Sequence, residues 1–161
     1  MGKHEKLDLP LYERDFHAWT RDQAEKLRTR AHNDVDWENV AEEIDSLGRS
    51  DRREISHRLG VLLLHLLKWQ FQPRKRKLGW LSTVREQRHR IAQLIRESPS
   101  LKAYPARQMR REYEFARQNP IDETGLSESE FPVSCPYTIG DVLDDAYFPG
   151  QPWLPEQLAR D

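Results

Sequence analysis

Two Glu-x-x-His spacings, Glu54 to His57 and Glu86 to His89, come closest in this chain to the residue types and separation of a reaction centre. On a helix, residues i and i+3 project together, and two such pairs on facing helices form half of a di-iron carboxylate site. Helical phase argues against that use. At about 100° per residue, Leu59, Leu62, Leu66 and Trp69 fall within roughly 40° of Ile55, whereas Glu54 and His57 fall near −100° and −160°. On the second segment Val84, Ile91 and Leu94 cluster within about 40° of Trp80, with Glu86 and His89 on the far side. Both pairs are therefore expected as exposed helix residues, with no metal and no cofactor bound.

Other chemistry is thinner. Glu42, Glu43 and Asp45 share the back of one predicted helix, where carboxylates serve acid-base work or, more commonly, make a solvated face or pair with Arg52 and Arg53. No Gly-x-x-x-x-Gly-Lys, Gly-x-Ser-x-Gly or His-Glu-x-x-His occurs, so phosphate loops, hydrolase elbows and zincin sites are not signalled. The single cysteine, Cys135, excludes an internal disulfide and a Cys-based zinc cage. It is expected as a small packing residue under the last helix and suits a reducing compartment. His65, about 80° off the apolar stripe, reads as a satisfied boundary residue. No catalytic residue is predicted.

The one cluster with binding character is basic: Arg74, Lys75, Arg76, Lys77, Arg85, Arg88 and Arg90, a candidate surface for phosphate or an acidic partner. Phe71 and Trp80 flank it and can stack on bases, although both fit the apolar pattern. Residues 1–67 hold 11 basic and 14 acidic side chains, 68–117 hold 14 and 4, and 118–161 hold 1 and 9, which makes blocks of −3, +10 and −8 within a sum of −1. The acidic block can neutralise the basic one, so Asp141, Asp144 and Asp145 are expected near residues 68–90. With Glu42, Glu43 and Asp45 they form the candidate acidic interaction face.

The elements that must position these residues are helical. Apolar residues from Leu11 or Tyr12 through Phe16, Trp19, Ala24, Leu27 and Ala31 predict one helix over about 11–32. Asp36 then caps a second. Trp37, Ala41, Ile44, Ile55, Leu59, Leu62, Leu66 and Trp69 share one sector, which predicts a nearly continuous helix over about 37–72 with that face buried. Gly48, at a cost of ~1 kcal/mol relative to alanine, opens a run to Glu54 without an apolar residue and is where the helix can kink. A third helix runs from near Trp80 to Ser98-Pro99, and a fourth carries Leu101, Tyr104, Met109, Tyr113 and Ala116. Residues 126–137 read as a loop, and Thr138 to Asp141 as a capping box ahead of a short helix. With no period-two runs and no repeats, the prediction is all-α: a single-domain helical bundle of four to five main helices plus a short C-terminal helix. Residues 1–10 are expected as a flexible N-terminus, 11–149 as the bundle and 150–161 as a Pro-punctuated tail.

Composition fits. The chain has 161 residues with 33% charged and 37% hydrophobic, enough for one modest domain of slender helices whose five tryptophans supply core mass. The longest apolar run, Val61 to Leu64, is far short of the ~20 residues of a membrane span, and Met1 to Lys6 hold neither the apolar core of a signal peptide nor a myristoylation signal. A soluble cytoplasmic protein is expected.

The string from Asp36-Trp37-Glu38-Asn39-Val40-Ala41-Glu42-Glu43-Ile44-Asp45 to Ser46-Leu47-Gly48-Arg49-Ser50, followed by Leu64-His65-Leu66-Leu67-Lys68-Trp69-Gln70, resembles the bacterial family called domain of unknown function 29. Val84 with Arg85-Glu86-Gln87-Arg88, Ser98-Pro99-Ser100-Leu101 and Cys135-Pro136-Tyr137-Thr138 extend the match over about 11–149. The resemblance implies an all-helical bacterial domain, usually encoded alone. It brings no activity and no catalytic residue. The expected function is a non-enzymatic protein-interaction or self-association module, with nucleic-acid binding through residues 68–96 as the alternative.

Overall fold

The computed structural model describes residues 9–118 and 130–150. Among these described residues six α-helices follow one another: α1 (Leu11–Arg14), α2 (Phe16–Arg28), α3 (Trp37–Phe71), α4 (Leu78–Glu97), α5 (Tyr104–Gln118) and α6 (Ile139–Leu143), with single 3-10 turns at His32–Asp34, Pro73–Lys75 and Pro99–Leu101. No strand occurs among the described residues, so the all-α expectation stands. Contacts divide the chain into two compact units, Met1–Ser50 and Asp51–Asp161, and α3 contributes to each.

In the first unit the helix expected over 11–32 is broken. Asp15 adopts an extended backbone at φ −151°, and its carboxylate accepts from Ala18 N–H at 2.9 Å, capping α2. A capping aspartate near the start of an apolar stripe keeps the helical phase while ending one helix and starting another. At its other end α2 closes through Ala31 N–H to Lys26 C=O and Arg30 N–H to Leu27 C=O, with Arg30 in the left-handed region at φ 56°. That is a Schellman pattern in which arginine stands where glycine is usual. Asp36 caps α3 as predicted: Asn39 N–H donates to it, as do Asn39 Nδ2 at 2.8 Å and Trp19 Nε1 at 3.3 Å, while its own N–H donates to Gln23 Oε1 at 2.7 Å. These donors lower the Asp36 pKa, the Asn39 amide most. Trp19 and Val35 are buried here.

Helix α3 runs unbroken through Gly48, where an added Cβ would meet nothing within 4 Å. One expectation about it fails. Trp37 and Ile44, predicted as core, are 53% and 64% exposed, and Leu47 is 70% exposed. Tyr12, Trp19 and Gln23 engage Asp36 and Glu43 on a neighbouring side of the helix, and His32 stacks on Trp37 and accepts from its Nε1 at 3.0 Å through the backbone C=O, while Ala41, Ile44 and Leu47 are left exposed. Phase tells which side is apolar. It does not tell whether anything covers it.

In the second unit the same stripe is covered. Leu59, Leu62, Leu63, Leu66 and Leu67 pack with Val84 and Ile91 of α4, Tyr113 and Ala116 of α5, Val142 of α6, and Phe131 and Tyr137 from the segment before α6. Trp69, Trp80 and Leu81 form a smaller cluster with Phe148, where the Trp69 and Phe148 ring centroids are 5.0 Å apart. Half-buried His65 donates from Nδ1 to Val61 C=O at 2.8 Å, the satisfied boundary role expected of it, and burial pushes its pKa down. The predicted capping box forms: Asp141 N–H donates to Thr138 Oγ1, and Thr138 N–H donates back to the Asp141 carboxylate at 3.1 Å. Part of the predicted 126–137 loop and almost all of the 150–161 tail lie outside the described residues.

Candidate functional site

The seven basic candidates do not form one surface. Arg74, Lys75, Lys77 and Arg85 are exposed, whereas Arg76 and Arg88 are buried and bonded inside the unit. Arg76 Nε donates to Trp69 C=O at 2.8 Å, and its guanidinium lies 4.9 Å from the Trp69 ring centroid. Gly150 closes over it with φ +86°, a conformation that favours glycine, and a Cβ there would stand 3.3 Å from Arg76 Nη2. Half-buried Arg90 meets Glu54 at 3.5 Å and Gln93 at 2.7 Å. Trp80 is buried beneath Lys68, whose ammonium lies 4.4 Å from its ring centroid, and Phe71 packs edge-on against Phe131. The two aromatics serve the core.

Arg88 is the most consequential of these residues. Its side chain donates from Nε to Val142 C=O at 2.8 Å, and from Nη2 to Tyr147 C=O at 2.8 Å and to Asp141 C=O at 3.4 Å. Val142 and Asp141 lie in the last turn of α6, where Asp141 C=O accepts only the long Asp144 N–H contact at 3.3 Å, so a guanidinium from α4 caps this helix and complements its dipole. Burial lowers the Arg88 pKa, against an opposing pull from Asp145 and then Asp144. The acidic segment therefore meets the basic one, as the charge arithmetic predicted, but the bonds run to carbonyls. Among the described residues no ion pair within 4.0 Å links Asp141, Asp144 or Asp145 to a cation. Asp141 belongs to the capping box, Asp144 accepts from Ala146 N–H at 2.9 Å, and Asp145 is exposed. On the first unit, Glu42 pairs with Arg49 instead of Arg52 or Arg53, Glu43 accepts from Tyr12 O–H, and Asp45 is exposed.

The Glu-x-x-His pairs separate. Glu54 binds Arg58 at 2.9 Å and Arg90 at 3.5 Å, and Glu86 and His89 are exposed. No group of three metal-ligating side chains occurs among the described residues. Cys135 is half-buried with its thiol 3.6 Å from Tyr137 C=O, and burial raises its pKa, which disfavours the reactive thiolate.

What sequence reasoning missed is a pair of adjoining clefts between α3 and α5. One, about 230 Å³, is walled by Gly60, Val61, Leu64, Phe115 and Ala116; the other, about 340 Å³, by Arg53, Ser56, Tyr104 and Arg111. His57, Phe115 and Glu112 line both. Glu112 is only 8% exposed, with Arg111 Nε at 4.0 Å, and a Cβ at Gly60 would come within 3.2 Å of its Oε2. Absence of a side chain at Gly60 is thus what lets α3 pass close to this carboxylate. Nothing in the sequence marks Glu112, because a glutamate on an amphipathic helix is ordinarily solvated.

Burial holds the Glu112 carboxyl above its ordinary value of 4.5, outweighing the opposite pulls of Arg111, His57 and Ser56. A carboxyl with a raised folded-state pKa binds more protons folded than unfolded. Its ionisation therefore costs stability as pH rises from about 4.5 through the raised value. Glu112→Gln removes that cost. The stability gained by the variant over wild type, from urea unfolding, is expected to be larger at pH 7 than at pH 4; an equal difference at the two values contradicts the assignment.

No helix among the described residues is long and apolar enough to cross a membrane. No curated protein and no solved structure matches the chain. The family model described as domain of unknown function DUF29 does match it, over residues 11–148, and the described residues of that span hold helices and no strand. The chain is thus a member of the DUF29 family.

Proposed function

We propose that this DUF29 chain is a non-enzymatic interaction module of a reducing cytoplasm that associates with a second copy of itself through the first half of α3. The observation that carries this reading is the exposed apolar stripe Trp37, Ala41 and Ile44, in phase with the buried stripe of the same helix, with exposed Leu47 at its edge. Apolar side chains at helical spacing are what one helix presents to another, and a helix face is most readily covered by an identical one. Gly48 adds a position where a partner backbone can approach closely, since no atom stands within 4 Å of the place its Cβ would take. The unpaired Cys135 is compatible with the compartment.

Sedimentation velocity across about two decades of concentration tests the reading. Wild type is expected to shift from monomer to dimer, and Ile44→Glu to remain monomeric with an unchanged circular dichroism spectrum, because a buried unpaired carboxylate opposes association by several kcal/mol. A wild type that stays monomeric throughout overturns it. Nucleic-acid binding is the second reading; exposed Arg74, Lys75, Lys77 and Arg85 favour it, and interior Arg76 and Arg88 weigh against it.

A further inference from the structure

We propose that the adjoining clefts between α3 and α5 bind a small amphipathic anion: a carboxylate or phosphate head in the polar compartment and a short apolar tail along Gly60, Val61 and Leu64. The sign of the head follows from the lining. Arg53 and Arg111 bring two permanent positive charges, and Ser56, His57 and Tyr104 are groups that can donate, whereas Glu112 is the one acidic residue and when ionised only accepts. An organic ammonium would gain one carboxylate and face two guanidiniums, so charge count favours the anion. Arg111 is free to turn toward a ligand, since its side chain is 82% exposed and meets Glu112 only at 4.0 Å. Tyr104 O–H, whose contact with Ser56 Oγ is a long 3.4 Å, can donate to a head group, while Ser56 bonds the Glu112 carboxyl.

The tail compartment has a different chemistry. Small residues Gly60 and Ala116 give it depth, Val61 and Leu64 wall it, and Phe115, 61% exposed, stands at its rim. Gly60 also keeps the junction open, because a side chain there would press on Glu112. Few convergent polar groups beside an apolar slot is the usual make-up of a small-molecule site. Both walls belong to helices of one core, so the site is preformed and binding involves little ordering.

Calorimetric titration of the full chain with octanoate, octyl phosphate, octanol, octylamine and acetate tests the proposal, with amide chemical shifts locating each probe. Octanoate or octyl phosphate is expected to saturate one site, with shifts confined to residues 53–64 and 104–116; the tighter of the two identifies the head. Octanol, octylamine and acetate are expected to bind at least ~10-fold more weakly, since each lacks the charge or the tail. Arg53→Glu with Arg111→Glu, both at exposed positions, is expected to weaken the anion by ~10-fold or more, and Glu112→Gln to strengthen it. Should the double variant fold poorly, Phe115→Ser serves instead, weakening octanoate while leaving acetate unchanged. Octylamine binding more tightly than octanoate, an affinity indifferent to these variants, shifts centred on residues 37–48, or no saturation with any anion overturns the proposal.

Discussion

Arg88→Met is expected to lower stability by ~3 kcal/mol or more and to release α6 from the helices it packs on. Replacing a buried ion by a hydrophobe of similar length is frequently neutral or stabilising when its partner charge is removed as well. Here the partners are the carbonyls of Val142, Asp141 and Tyr147, which stay behind. The Val142 carbonyl is left buried and the half-buried Tyr147 carbonyl loses its donor at 2.8 Å, each at ~1–3 kcal/mol, while Asp141 C=O keeps the Asp144 N–H; together these losses outweigh the relief of returning one guanidinium to water. Contact with Phe148, whose ring centroid is 5.2 Å from the guanidinium, is lost too. Arg88→Lys is expected to rescue only partly, because a point charge cannot reproduce the fork that reaches three carbonyls. Urea unfolding gives the stabilities, and hydrogen exchange at Val142 and Leu143 reports the docking of α6. Wild-type stability together with undiminished protection in Arg88→Met excludes the capping role.

Leu62→Ala is expected to cost ~2–5 kcal/mol, whereas Ile44→Ala, on the same helix and in the same apolar sector, is expected to change stability by no more than ~0.5 kcal/mol at concentrations where the chain is monomeric. Leu62 is fully buried between α3, α4 and α5, so truncation leaves a cavity that close-packed neighbours fill only in part. Ile44 is already in water. Denaturant midpoints of the two variants, measured side by side on dilute protein, decide the matter. Equal losses would mean that the first half of α3 is covered, and equal indifference would mean that the second half is not the core. The contrast also separates the fold from the proposed self-association, since Ile44 matters only to the latter.

How far the sequence reached can be judged element by element. That α3 passes Gly48 without a break came from the structure, but the period of the apolar residues determined that the chain is helical and pointed to a nearly continuous α3, Pro99 set the end of α4 near Ser98, and the Thr138 to Asp141 spacing determined the cap of α6. These are local properties, fixed by residues within a turn or two of one another, which is the range over which side chains on a helix meet. The break at Asp15 was local as well, a cap whose signal lay hidden inside an apolar stripe that kept its phase.

What only the tertiary structure decided is which faces and charges other parts of the chain would reach. Trp37 and Trp69 obey the same periodicity, yet one is exposed and the other fully buried, because coverage depends on segments tens of residues away. Arg74 and Arg88 belong to the same basic block, yet Arg88 caps a helix more than fifty residues later in the chain. Glu112 carries no motif at all and becomes notable only because Gly60, on another helix, leaves no side chain to fill the space beside it. Periodicity assigns each residue a direction, and the default for a charged one is water. Burying a guanidinium or a carboxylate requires partners assembled from separate elements, and that assembly is a property of the fold.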